Sequence, residues 1–86
     1  MAKLYLEILT PEKVLVREEV DIFEAQGTLG EFGVLPGHIQ FFTTLEPGQI
    51  RYGKDGKMTY VSSGSGFAEV LNDKVTVVLD SGELSE

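Results

Sequence analysis

Apolar residues in this chain recur two apart, and no stretch of ten residues carries the 3.6-residue repeat of an amphipathic helix, so the sequence is committed to strands. Leu4, Leu6 and Ile8 alternate with Tyr5, Glu7 and Leu9, the pattern of a strand with one side on a core. Thr10-Pro11 ends that run. Val14 and Val16 then alternate with Lys13, Leu15 and Arg17, and Val20 and Ile22 alternate with Asp21 and Phe23. Further strands are predicted around Glu31 to Leu35 and at Ile39 to Leu45, Gln49 to Gly53, Lys57 to Ser62, Phe67 to Leu71 and Lys74 to Asp80. Asp55-Gly56 between two such runs is a strong hairpin signal, and Asn72-Asp73 suits another tight turn. The pattern predicts an all-β fold, an antiparallel sandwich or flattened barrel of about nine or ten short strands. It fills residues 1–80 as one domain, and Ser81 to Glu86 is read as a polar, frayed tail.

Eighty-six residues leave room for one small core and not for two. Seven Lys and Arg against fourteen Asp and Glu give a net charge of −7, which repels a nucleic-acid backbone or an anionic lipid surface. With no cysteine, the fold has no disulfide staple and no thiol nucleophile, in keeping with a reducing compartment. Glu7 interrupts the apolar residues near the N-terminus and no small-residue cleavage site follows, so a secretory signal is not expected. The uncharged run from Phe32 to Leu45 is too short and too rich in glycine and proline for a membrane span, and any membrane association is expected to be indirect, through a protein partner.

Five glycines and a Pro-Gly-His turn crowd the segment Gly27 to Gly48. A phosphate cradle needs a helix N-terminus or a Lys-Ser/Thr pair after its glycines, and neither follows Gly27, Gly30 and Gly33, so a tightly turning strand pair is expected. Gly64-Ser65-Gly66 reads likewise as a bend before the Phe67 strand. His38 is the only histidine, too little for a His-based zinc site and without a nucleophile to serve; bracing the Pro36-Gly37 turn is the simpler role. Glu18, Glu19, Asp21 and Glu24 cluster in sequence, but strand alternation sends neighbours to opposite faces, leaving a solvated edge. No catalytic residue, metal ligand or cofactor is therefore expected. Leu9, Leu15, Phe23, Phe42 and Val78 stand out of phase with Leu6, Val16, Ile22, Phe41 and Val77. Either the sandwich buries part of both faces, or a patch around Phe42 marks an interface.

Gly30-Glu31-Phe32-Gly33-Val34-Leu35-Pro36-Gly37-His38, then Pro47-Gly48, then Ser63-Gly64-Ser65-Gly66-Phe67-Ala68-Glu69-Val70, resemble in order and kind the epsilon subunit of F-type ATP synthases, in its N-terminal β-sandwich domain. The resemblance runs from Leu4 to about Asp80, with Ser65 where the family commonly has glycine. It implies a non-catalytic rotor subunit of the central stalk, with the gamma subunit and the membrane c-ring as partners, held as a peripheral subunit at the cytoplasmic face or an equivalent organelle compartment. It puts Leu29, Glu31 and Phe32 against the c-ring loops, Glu31 pairing with ring polar groups, and it puts His38, Gln40, Phe42 and Thr43 against gamma with Phe42 as the anchor. The family continues into two α-helices where these residues stop at Glu86, so neither the block on rotation nor the ATP binding of that helical pair is expected of them. Two other classes fit less well. A free-standing carbohydrate-binding sandwich wants an aromatic platform, and the chain has no Trp and only Tyr5, Tyr52 and Tyr60. A hydrolase with an acid and base pair finds no motif to place its carboxylates.

Overall fold

The computed structural model describes residues 3–37 and 40–85. They form ten strands: β1 Leu4–Leu9, β2 Val14–Val20, β3 Ile22–Gly27, β4 Gly30–Val34, β5 Phe41–Leu45, β6 Gly48–Lys54, β7 Lys57–Ser63, β8 Gly66–Leu71, β9 Lys74–Leu79 and β10 Gly82–Ser85. One layer runs β4-β3-β6-β7-β10 and the other β5-β8-β9-β1-β2. They are one continuous sheet folded over, because β3 passes from β6 to β5 along a single edge: Ile22 to Glu24 pair with Gly53 to Arg51, and Gly27 pairs with Leu45. The all-β sandwich or flattened barrel is thus the observed fold, and no described helix is long and apolar enough to cross a membrane.

The fold is not wholly antiparallel. β1 runs parallel to β9, Tyr5 beside Lys74 through Leu9 beside Val78. Alternation tells which face of a strand is buried and says nothing of the direction of its neighbour; a parallel pair needs a long crossover, and here the chain between the two strands supplies it.

Leu4, Leu6, Ile8, Val16, Val75, Val77 and Leu79 from one layer meet Phe23, Ala25, Val34, Ile50 and Val61 from the other, and no described polar or charged residue is buried with them. The predicted run Val20 to Phe23 is corrected at Asp21, where the chain bends, its N–H donating to the Gly53 carbonyl at 2.7 Å. The bend resets the alternation, so Val20 closes β2 pointing inward and Phe23, not Ile22, carries the core position of β3. The tail is corrected too. Gly82 to Ser85 pair antiparallel with Ser63 to Tyr60, giving hydrogen bonds to the edge of β7 that would otherwise stay unpaired.

The two predicted turns are present. Asp55 and Gly56 have φ of 53° and 82°, and Asn72 and Asp73 have φ of 51° and 62°, the double left-handed geometry of two-residue hairpins. Asp73 Oδ1 also accepts the Gly37 N–H at 2.8 Å, tying the Pro36-Gly37 turn to the β8–β9 end of the sandwich.

Candidate docking surface

β3 and β4 form a hairpin, Ala25 opposite Phe32, Gln26 opposite Glu31 and Gly27 opposite Gly30, with Thr28-Leu29 at its tip. The hairpin is fastened to β5 by Thr28 N–H to the Thr44 carbonyl at 3.1 Å, Glu46 N–H to the Gln26 carbonyl at 3.0 Å, and the Thr28 and Thr44 hydroxyls 2.9 Å apart. Gly27 permits a close approach: a Cβ there would stand 3.2 Å from the Gly30 carbonyl oxygen and 3.3 Å from the Phe32 ring and the Thr43 hydroxyl, tighter than side chains ordinarily pack. Gly30, with φ of 125°, makes the return turn. The glycine-rich stretch is thus the tight strand pair that the sequence predicts.

Around this end lies a shallow groove of about 270 Å³ lined by Leu29, Gly30, Glu31, Phe32, Phe41, Phe42 and Thr43. Leu29 at the tip is 99% exposed. Phe32 is half-buried, its ring edge-on to Phe41 at 5.3 Å and 6.0 Å from Phe23, so it joins the groove to the core. Phe42 is 60% exposed and rests against Phe67, ring centres 5.3 Å apart. The residues assigned to two partners therefore share one groove: Leu29, Glu31 and Phe32 on one side, Phe42 and Thr43 on the other. Gln40 is exposed just before β5 and does not line it, and His38 lies outside the described residues.

Phe42 is not an isolated exposed ring. Phe67 is paired with Val78 across β8 and β9, and Val78 with Leu9 across β9 and β1, so an apolar row crosses the outer face of that layer at right angles to the strands. Leu9 and Val78 belong to the out-of-phase set, which thus holds a contiguous patch as well as core residues; Phe23 is buried and Leu15 packs against the core. Phe67 is the addition that sequence reasoning missed, since only the register of β5 on β8 brings it to Phe42.

Charges on the opposite layer converge on Arg51. Its Nε donates to Glu24 Oε1 at 3.0 Å and its Nη2 stands 3.5 Å from Glu31 Oε2. The hydrogen bond to Glu24 holds the guanidinium above its ordinary pKa. Glu31, expected to pair with a partner, thus already has a cation within the chain. Two other acids of the sequence cluster go to separate cations, Glu18 to Lys54 at 3.5 Å and Asp21 to Lys3 at 2.7 Å. Tyr52 is buried, and Tyr5 and Tyr60 lie on the outer faces of different layers, so the three rings share no platform. The groove and its flanking row offer apolar surface and one paired carboxylate, an arrangement suited to docking.

The family described as ATP synthase, Delta/Epsilon chain, beta-sandwich domain, matches residues 3–85. The ATP synthase epsilon chain of Geotalea daltonii is 48% identical over 84 residues, 98% of this chain and 61% of that relative. The ATP synthase epsilon chain of Nitratidesulfovibrio vulgaris is 48% identical over 83 residues, 96% of this chain and 62% of that one. This chain therefore spans about three-fifths of the length of these curated relatives. Among solved structures, a chain of the Euglena gracilis mitochondrial ATP synthase superposes with a TM-score of 0.91 at 25% identity, over 98% of this chain and 54% of that one. A chain from the central stalk and c-ring of the Tetrahymena thermophila mitochondrial ATP synthase has the same fold, with a TM-score of 0.82 at 11% identity over 95% of this chain and 66% of its own.

Proposed function

This chain belongs to the delta/epsilon β-sandwich family of ATP synthase chains, and on that footing we propose that it is the sandwich of an epsilon-type subunit in the central stalk of a rotary ATP synthase. In this reading it performs no chemistry. It links the gamma subunit to the c-ring and turns with them, passing the rotation driven by ion flow to the catalytic head, and it meets the membrane only through the complex. The carrying observation is that the family match over residues 3–85 takes in all ten strands, with the hairpin, the groove and the apolar row among them. A packed two-layer body suits the role mechanically, since a core at crystal-like density deforms little under load.

Gamma covers the row Phe42, Phe67, Val78 and Leu9, with Thr43 and Gln40 toward its rim, while the polar loops of the c-ring meet Leu29, Phe32 and Glu31. The two contacts adjoin at the groove. An interface of this kind buries on the order of 800 Å² on each partner and concentrates its energy in a few aromatic anchors. Phe42→Ala should weaken binding to purified gamma about 30-fold, the loss of one such anchor. Its melting temperature should stay within a few degrees of wild type, because the ring is mostly in solvent. A folded Phe42→Ala chain that binds gamma as wild type does would overturn the assignment of this face.

A further inference from the structure

We infer that Arg51 is the positioning residue for Glu31: one guanidinium, anchored on Glu24, fixes the carboxylate that the hairpin presents to its partner. The inference rests on the docking reading of Glu31 above. Arg51 sits on β6 directly opposite Glu24 on β3, and Glu31 lies one strand further out, on β4. The side chain therefore reaches across the whole width of β3, with Nε on Glu24 at 3.0 Å and Nη2 toward Glu31 at 3.5 Å. Exposure falls inward in the same order, 62% for the Glu31 side chain against 33% for Glu24 and 26% for Arg51. The inner pair is the anchor and the outer carboxylate stays accessible.

Two carboxylates on neighbouring strands repel each other, and an exposed glutamate samples many rotamers. A guanidinium between them removes the repulsion and holds Glu31 on one side of the hairpin, which lowers the ordering cost when a partner docks. Arginine suits this because its donors are set in a rigid fork that can address two acceptors at once; lysine offers a single mobile point charge. As a contribution to folding such an exposed pair is small, so its presence across three strands is better explained by where it leaves Glu31 than by stability.

The test is a double-mutant cycle on the full chain, with affinity for purified c-ring in detergent as the readout. Glu31→Gln should weaken binding. Arg51→Met, which keeps the apolar stem, should weaken it about fivefold when Glu31 is present and not at all in the Glu31→Gln background, because residues acting through one contact are non-additive. Arg51→Lys should restore only part of the loss. Equal effects of Arg51→Met in both backgrounds, or no effect in either, would overturn the inference and leave the docking role of Glu31 standing. If Glu31→Gln binds as wild type does, the docking reading at Glu31 fails and this inference with it. Melting curves check that each variant is folded; should Arg51→Met unfold, Arg51→Lys takes its place in the cycle, with a smaller loss expected that again vanishes in the Glu31→Gln background.

Discussion

The two ends of β3 are finished in opposite ways. At its start, Asp21 accepts the Asp55 N–H at 2.8 Å, and Lys3 reaches Asp21 at 2.7 Å and Asp55 at 3.4 Å, so polar side chains close the turn on the chain itself. At its end, the tip Thr28-Leu29 is held by two threonine hydroxyls and by backbone hydrogen bonds, and it carries Leu29 out into water at the groove it shares with the exposed Phe42 of β5. Apolar surface left in water contributes little to folding, and a contiguous set of such side chains marks a contact surface. One end serves the fold. The other leaves its apolar groups in water, as the proposed docking requires, and the following experiments set the two against each other.

The largest effect should come from the scaffold under the docking end. Gly27, Leu45, Gly66 and Leu79 are paired in one row across four strands beneath the tip. A Cβ on Gly66 would fall on the Val78 carbonyl oxygen and stand 2.9 Å from Leu79 Cα; both are backbone, and no rotamer relieves them. Gly66→Ala should cost about 3 kcal/mol, the upper part of the range for overpacking. For a domain of this size that lowers the melting temperature by roughly 12–24 °C. Gly64→Ala should cost about 1 kcal/mol, because the atoms in its way belong to the side chains of Asp80 and Ser81, which can turn aside. Similar melting temperatures for the two variants would show that the row beneath the tip yields more than its geometry implies.

What the sequence revealed and what it hid divide along the same line of local against distant. Asp55-Gly56 and Asn72-Asp73 are legible because the left-handed pair they need is a property of adjacent residues, and Leu4-Leu6-Ile8 because alternation is. Asp21 is not legible. In an alternating run a charged residue reads as an outward strand position, and only its bonds to Gly53 and Asp55, more than thirty residues on, turn it into a bend that moves the core position from Ile22 to Phe23. β10 is hidden for a related reason, since Gly-Glu-Leu-Ser has little strand signal until the edge of β7 is offered to it. The site follows suit. Glu31 and Phe32 lie in a stretch that carries the family resemblance, and that resemblance also points to Leu29, Phe42 and Thr43, but their meeting in one groove depends on β3 joining β5 at Gly27 and Leu45. Phe67 and Arg51 come from strands paired far away in sequence, and an Arg or Phe within a strand looks ordinary until its register is known.

The braced end gives a smaller, pH-dependent effect. The Lys3 ammonium, then the Asp55 N–H, hold the Asp21 carboxyl below the usual carboxylate range, and Asp21 in turn holds Lys3 above the usual lysine value. A depressed carboxyl stabilises the fold above its unfolded pKa and loses that contribution as pH falls through the folded one; a raised lysine loses its share only as pH climbs through its own folded value. Asp21→Asn keeps an acceptor for the Asp55 N–H and removes the charge. Its urea midpoint should lie below wild type at pH 7, and the gap should narrow on acidification to about pH 2, as the wild-type carboxyl of the folded chain takes up its proton. A gap of equal size at both pH values would assign the effect to the hydrogen bond and not to the ion pair. No comparable pH dependence should follow from substitutions at the tip, whose fastenings are neutral.

Leu29→Ser should change folding least of all. At 99% exposure the leucine side chain is as well hydrated in the folded chain as in the unfolded one, so its removal forfeits no burial. Serine is also at ease in a two-residue turn, and the melting curve should move by less than the equivalent of about 0.5 kcal/mol. If the tip is a contact held ready for the c-ring, the same substitution should still weaken c-ring binding, because the apolar surface that leucine would bury there is gone. The two readouts must separate at this residue, and in the opposite sense at Asp21, where stability shifts and docking does not. Unchanged c-ring binding by Leu29→Ser would reduce the tip to an ordinary exposed leucine and move the contact inward to Phe32 and Glu31.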